Sequence, residues 1–175
     1  MGIDTLDVKI KDTVSGKLLE GVIEPMITKD FKTIKKNKDR FDKFDWSQYS
    51  QSEVYKLRLK DNDAILGLLC LIDHMDDGFD AIEIELLEVS AENIGKKKQL
   101  DFIGGCLIAF ACRESFKRGH GGCVFLVPKS SLIDYYPAMY GFEFFPLKTA
   151  ARPSGLMILN EPGARKLIKV YLDGI

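Results

Sequence analysis

Apolar and polar residues alternate through Ala81 to Ser90 (AIEIELLEVS), the period of a strand buried on at least one face. A carboxylate, Glu88, shares the parity of Ile82, Ile84 and Leu86, while Glu83 and Glu85 fall on the wetter face with Leu87 and Val89. A polar, lysine-bearing loop follows from Ala91 to Asp101, then Phe102-Ile103-Gly104-Gly105, then an amphipathic helix predicted over Cys106 to Phe116. A strand feeding a glycine-marked turn that opens a helix builds an anion site. The N–H groups of the first helical turn have no intrahelical partner, and they lie at the positive end of the helix dipole.

The rest of the chain supplies the setting. Leu6 to Ile10 and Leu18 to Ile23, separated by Ser15-Gly16, predict a β-hairpin ending at Pro25. Thr28 is placed to cap a helix over Lys29 to Lys36 with Phe31 and Ile34 inward, and Phe41, Phe44 and Trp46 are expected to dock this segment on the body. Glu53 to Leu59, Ile65 to Ile72 and the Ala81 strand, joined by short turns, predict an antiparallel meander. Cys123 to Val127 predicts a buried strand parallel to the Ala81 strand, because a helix crosses between them. A helix over Ser131 to Tyr140, strands at Phe142 to Leu147 and Leu156 to Leu159, and a helix over Glu161 to Leu172 complete one α+β domain with a mixed sheet.

Composition removes several classes of function. The chain has 175 residues and a formal net charge of −1, so nothing draws it globally to nucleic acid or anionic lipid. No apolar run is long enough to span a bilayer, and Cys70, Cys106, Cys112 and Cys123 lie in apolar contexts without metal spacing. They are expected to be reduced core residues, which fits a cytoplasmic protein. His74 and His120, the only histidines, lack ligand partners at helical or turn spacing, so no metal is expected. His120-Gly121-Gly122 lacks the G-x-S-x-G elbow of an esterase and is expected to be a turn. The lysines from Lys29 to Lys43 read either as a solvated face or as a local patch for an acidic partner, RNA included.

Three places carry a resemblance. Gln99-Leu100-Asp101-Phe102-Ile103-Gly104 fits the first and last positions of a Q/R-x-x-G-x-G/A loop opening a helix, with Phe102 where glycine is usual. Cys123 to Val127 is an apolar strand after a glycine-rich turn, and Tyr136 precedes Tyr140-Gly141-Phe142 at a helix end. In this order of elements the chain resembles the GCN5-related N-acetyltransferase (GNAT) superfamily over about Glu53 to Leu159. The resemblance implies a mixed, mostly antiparallel sheet with helices on both faces. Residues 1–50 would be an N-terminal addition and 161–175 a C-terminal helix.

It further implies an N-acetyltransferase in which a primary amine attacks acetyl-CoA directly in a ternary complex. Pantetheine would lie along Val89 and Ala91, and the loop of Gln99, Leu100, Asp101, Phe102, Ile103, Gly104 and Gly105 would take the pyrophosphate. Lys96, Lys97 and Lys98 would flank the nucleotide phosphate or simply be solvated. Glu88 is the expected base and Tyr136 the expected acid, with Tyr135 competing for that role. The acceptor is a small-molecule or protein amine, the acidic pI argues against nucleic acid, and a homodimer stays open. The rival expectation is a catalytically silent acyl-CoA-binding or regulatory module, motivated by Phe102 and Pro137.

Overall fold

Strands β1 (Leu6–Asp12) and β2 (Leu18–Pro25) form the predicted antiparallel hairpin, with Val8 opposite Gly21 and Ile10 opposite Leu19. The Asp12 carboxylate accepts the N–H groups of Val14 and Ser15, and Gly16 takes the left-handed conformation (φ 75°) that closes the turn. The computed structural model describes residues 5–75, 80–128, 135–145 and 155–173. The chain divides into two compact units, Met1–Cys70 with Leu86–Leu107 and Leu71–Glu85 with Ile108–Ile175.

In the first unit, helix α1 (Thr28–Lys36), a 3-10 turn (Trp46–Tyr49) and strands β3 (Glu53–Leu59), β4 (Ile65–His74) and β5 (Ala81–Val89) follow the hairpin. After a second 3-10 turn (Ala91–Asn93) come the two-residue strand β6 (Leu100–Asp101) and the start of helix α2 (Ile103–Lys117). The strand order here is β6-β1-β2-β3-β4-β5. Within residues 1–50, expected as an addition, β1 and β2 join the sheet, because β2 pairs with β3 through Ile23 and Leu57. Thr28 is also not the cap of α1. Ile27 takes that place, and the Asp30 carboxylate accepts its N–H (2.9 Å) together with the Lys56 ammonium (2.7 Å). Burying Asp30 and Lys56 as a pair ties the lysine-dense helix to β3. Ile34, Phe41, Trp46, Val54, Ile65 and Leu68 pack as the core beneath it.

In the second unit the order is β4-β5-β7-β9-β8, with β7 (Val124–Leu126), β8 (Glu143–Phe145) and β9 (Leu156–Leu159). The β5–β7 pair is parallel as the crossover demands, Ile82 opposite Val124 and Glu83 opposite Phe125, and the β1–β2, β1–β6, β2–β3, β7–β9 and β8–β9 pairs are antiparallel. Short helix α3 (Tyr135–Tyr140) carries Pro137 in its first turn, where a missing N–H costs nothing, and Gly141 (φ 78°) ends it. Ser131 to Asp134 of the expected helix and Pro146-Leu147 of the expected strand lie outside the described residues. Helix α4 (Glu161–Ile168) starts at Asn160, whose side chain accepts the Gly163 N–H, and runs into a π turn (Lys169–Asp173). Among the described residues no helix is long and apolar enough to cross a membrane.

Candidate functional site

Phe102 sets the entrance to α2. Its φ of 78° is the one left-handed value at a non-glycine among the described residues, a conformation that costs a bulky L-residue about 1–2 kcal/mol. Glycine is the residue that adopts it without penalty, so the loop keeps a backbone suited to glycine while carrying a ring. The Asp101 carboxylate holds the Phe102 N–H (2.8 Å), and the Phe102 carbonyl accepts the Cys106 N–H to begin the helix. Ile103, Gly104 and Gly105 then occupy the first turn, where N–H groups have no intrahelical acceptor. Two of these three positions lack a Cβ, and Gly104 is half-buried while Ile103 and Gly105 are buried.

The remaining loop positions are occupied from within. Gln99 N–H donates to the Glu92 carbonyl and Leu100 N–H to Asn93 Oδ1, while Asp101 lies opposite Lys11 in the β1–β6 pair. Among the expected phosphate amides, Ile103, Gly104 and Gly105 therefore have the arrangement for an anion, and Gln99, Leu100 and Phe102 do not. The Asp101 carboxylate also holds Lys98 (3.2 Å).

Ser90 N–H donates to Leu66 on β4, and main-chain groups of successive strand residues point to opposite edges. Val89 thus turns its N–H and C=O away from β4. Ala91 does not serve in the same way, because its N–H is held by the Arg40 carbonyl at 3.0 Å.

Glu88 is only 2% exposed, on the buried face that its parity predicts. The Trp46 indole N–H donates to Oε1 (2.8 Å) and the Lys43 backbone N–H to Oε2 (3.0 Å). Both oxygens already hold protein donors, so the expected base serves in this structure as an anchor. The sequence expectation placed Trp46 as a docking residue and missed this bond, which spans a separation that no local pattern encodes.

The anchor lies beneath a cavity of about 440 Å³. Phe31, Ile34, Phe41, Phe44 and Trp46 give it an apolar, largely aromatic floor. Lys35, Lys38 and Lys43 stand at the rim with Asp42 and Asp45. The Asp45 carboxylate is held below its usual range by the Ser47 hydroxyl and backbone N–H, with Gln48 and Lys35 adding to the effect. That acid is saturated by its own turn.

In the second unit, Tyr136 packs against Tyr140 and Phe142, with ring centroids 6.1 and 5.7 Å away. Burial, with Tyr135 beside it, pushes its phenol up to about 12, so it remains protonated through neutral pH. Tyr135 is more exposed (45%) and Tyr140 is pushed up further by the same burial. His120, 8% exposed, places Nε2 2.6 Å from Asp73, which also receives Arg118.

No protein-family model matches this sequence, and no curated protein does. Solved structures match its fold. An acetyltransferase from Agrobacterium tumefaciens aligns over 91% of this chain and 96% of its own, with TM-score 0.57 and 11% identity. The N-acetyltransferase YlbP of Bacillus subtilis in complex with coenzyme A aligns over 87% and 96%, with TM-score 0.52 and 15% identity. A mutant of the toxin AtaT bound to the C-terminus of the antitoxin AtaR and acetyl-CoA aligns over 85% and 98%, with TM-score 0.51 and 10% identity. The chain has the fold of the GNAT acetyltransferases: α+β, with a mixed, mostly antiparallel sheet.

Proposed function

We propose that this chain, built on the GNAT fold, transfers the acetyl group of acetyl-CoA to a primary amine. The observation that carries the reading is the opening of α2, where a left-handed Phe102 presents the Ile103, Gly104 and Gly105 amides to an anion. The coenzyme A of YlbP and the acetyl-CoA of AtaT are in keeping with a pyrophosphate there. Val89 offers its outward main-chain groups to the pantetheine arm. The amine nitrogen attacks the thioester carbonyl, the C–N bond forms, the C–S bond breaks, and the amine's proton passes to solvent, from which Tyr136 regains the proton it gives up. The departing thiolate takes a proton from Tyr136, which burial keeps loaded. For Glu88 to act as the base, Trp46 or the Lys43 N–H must give way to a water; otherwise it positions the turn above it. The acceptor is a small molecule or a protein, and a protein partner is in keeping with the AtaT complex.

The occupied carboxylate of Glu88 favours a second reading, a silent acyl-CoA-binding module. Two measurements separate the readings. Coenzyme A at a hundred times its dissociation constant stabilises a binding fold by about 2.7 kcal/mol, seen as a rise in melting temperature. Thiol release from acetyl-CoA across a panel of amines reports turnover. Both signals are expected. Stabilisation without release leaves the silent module, and the absence of stabilisation rejects both.

A further inference from the structure

The cavity above Glu88 has the volume of a small-molecule site and a floor of four aromatic rings with Ile34. Its rim carries both charges, but they are not equally available. Asp45 accepts from Ser47 and Gln48 and keeps its charge, on which Lys35 also acts. Arg40 is turned away onto Glu92 and the Ile65 carbonyl. Lys35, Lys38 and Lys43 are exposed, and among the described residues no carboxylate forms an ion pair with any of them. Lys35, Lys38 and Lys43 outnumber Asp42 and Asp45 at the mouth, which therefore carries one net positive charge above an apolar bed.

We infer that this cavity binds a small organic anion with an aromatic or branched apolar body, and that this anion is the non-reacting part of the acceptor amine. The second clause rests on the acetyl-transfer reading, and the first stands without it. Glu88 links the two places. Its carboxylate holds Trp46 and Lys43 of the cavity wall, and it is the chain neighbour of Val89, whose main-chain groups face away from β4. A polyamine meets the wrong sign at the rim.

Trp46 is the only tryptophan, so its emission reports the cavity directly and without acetyl-CoA. The probes are 3-phenylpropionate, phenylalanine, phenethylamine and spermidine, titrated against the full chain. The expected result is saturable quenching by 3-phenylpropionate and phenylalanine, at least about fivefold tighter than phenethylamine, with spermidine weakest. In a Lys35→Glu, Lys38→Glu double variant, shown folded by circular dichroism, that preference is expected to vanish or reverse. Saturable binding led by phenethylamine or spermidine overturns the inference, and so does the absence of saturable quenching by any probe. Quenching by the acids with no thiol release from acetyl-CoA would fail the transfer reading and leave the cavity assignment standing. Thiol release that is indifferent to an acid on the amine would overturn the acceptor clause and leave the transfer reading standing.

Discussion

The indole N–H of Trp46 and the carboxylate of Glu88 meet at 2.8 Å in the core of the first unit, with neither group open to water. Trp46→Phe leaves Oε1 without its donor, and Glu88→Gln leaves one carbonyl oxygen for two N–H donors, so each is expected to lower unfolding free energy by about 1–3 kcal/mol. The double variant is expected to lose less than the sum, because one bond is counted in both single variants. Urea unfolding of the four proteins measures this. Additive losses would mean that the bond contributes nothing to stability. If Glu88→Gln is assayed well below its melting temperature and turns over normally, its part in the chemistry is positioning alone.

Phe102 can be tested through its backbone. Alanine and glycine both delete the ring, but only glycine accepts φ 78° freely. Phe102→Gly is therefore expected to be more stable than Phe102→Ala by about 1 kcal/mol. Equal stabilities would show that the left-handed conformation is not held in solution.

The opening of α2 admits a test that separates folding from ligand binding. An acid in the first turn of a helix favours the helix and repels an anion at the same end. Gly104→Asp is expected to hold or raise the melting temperature while weakening the stabilisation by coenzyme A at least about tenfold. Undiminished stabilisation would place the diphosphate elsewhere.

Gly67 on β4 faces the same helix. A Cβ there would sit 2.8 Å from both Ile103 Cγ2 and Leu107 Cδ1, too close for either to remain in place. Gly67→Ala is expected to cost about 1–3 kcal/mol by overpacking. The variant should also lose coenzyme A stabilisation, because the displaced residues form the first turns of α2. A neutral substitution would show that helix and strand are loosely apposed.

Alkaline pH should unfold the protein early. Burial raises the Cys106 and Cys112 thiols and the Tyr136 phenol to about 12 from ordinary values of 9.0 and 10.0. The folded state keeps protons that the unfolded chain releases, so stability is full below about pH 9 and falls as pH rises towards about 12. Each group contributes up to about 1.4 kcal/mol per pH unit over its own interval. Denaturant unfolding across that range measures the slope, and Tyr136→Phe should flatten its upper part. A flat profile would mean that these side chains are hydrated.

Periodicity made the sheet legible. The alternation that put Glu88 with Ile82 and Ile84 correctly foretold a buried carboxylate. It could not foretell the occupant of that carboxylate, because Trp46 lies in an irregular turn and reaches it through tertiary packing. The hairpin of β1 and β2 was readable from Ser15-Gly16, but its place beside β3 was not, since strand adjacency leaves no local mark. Glycine at positions 104 and 105 pointed to the helix opening. Phe102 as its left-handed residue ran against propensity, and only tertiary context holds a ring there. The cavity emerged from aromatic residues that separately suggested nothing beyond docking.

The chain passes between the two units at Cys70 and Leu71, at Glu85 and Leu86, and at Leu107 and Ile108, the last within α2. A single stop codon or protease cut therefore cannot release either unit by itself, because Leu71–Glu85 of the second lies between the two stretches of the first. A chain ending at Leu107 would keep the whole first unit with a stray piece of the second, and an engineer who wishes to transplant one must stitch distant stretches of sequence together.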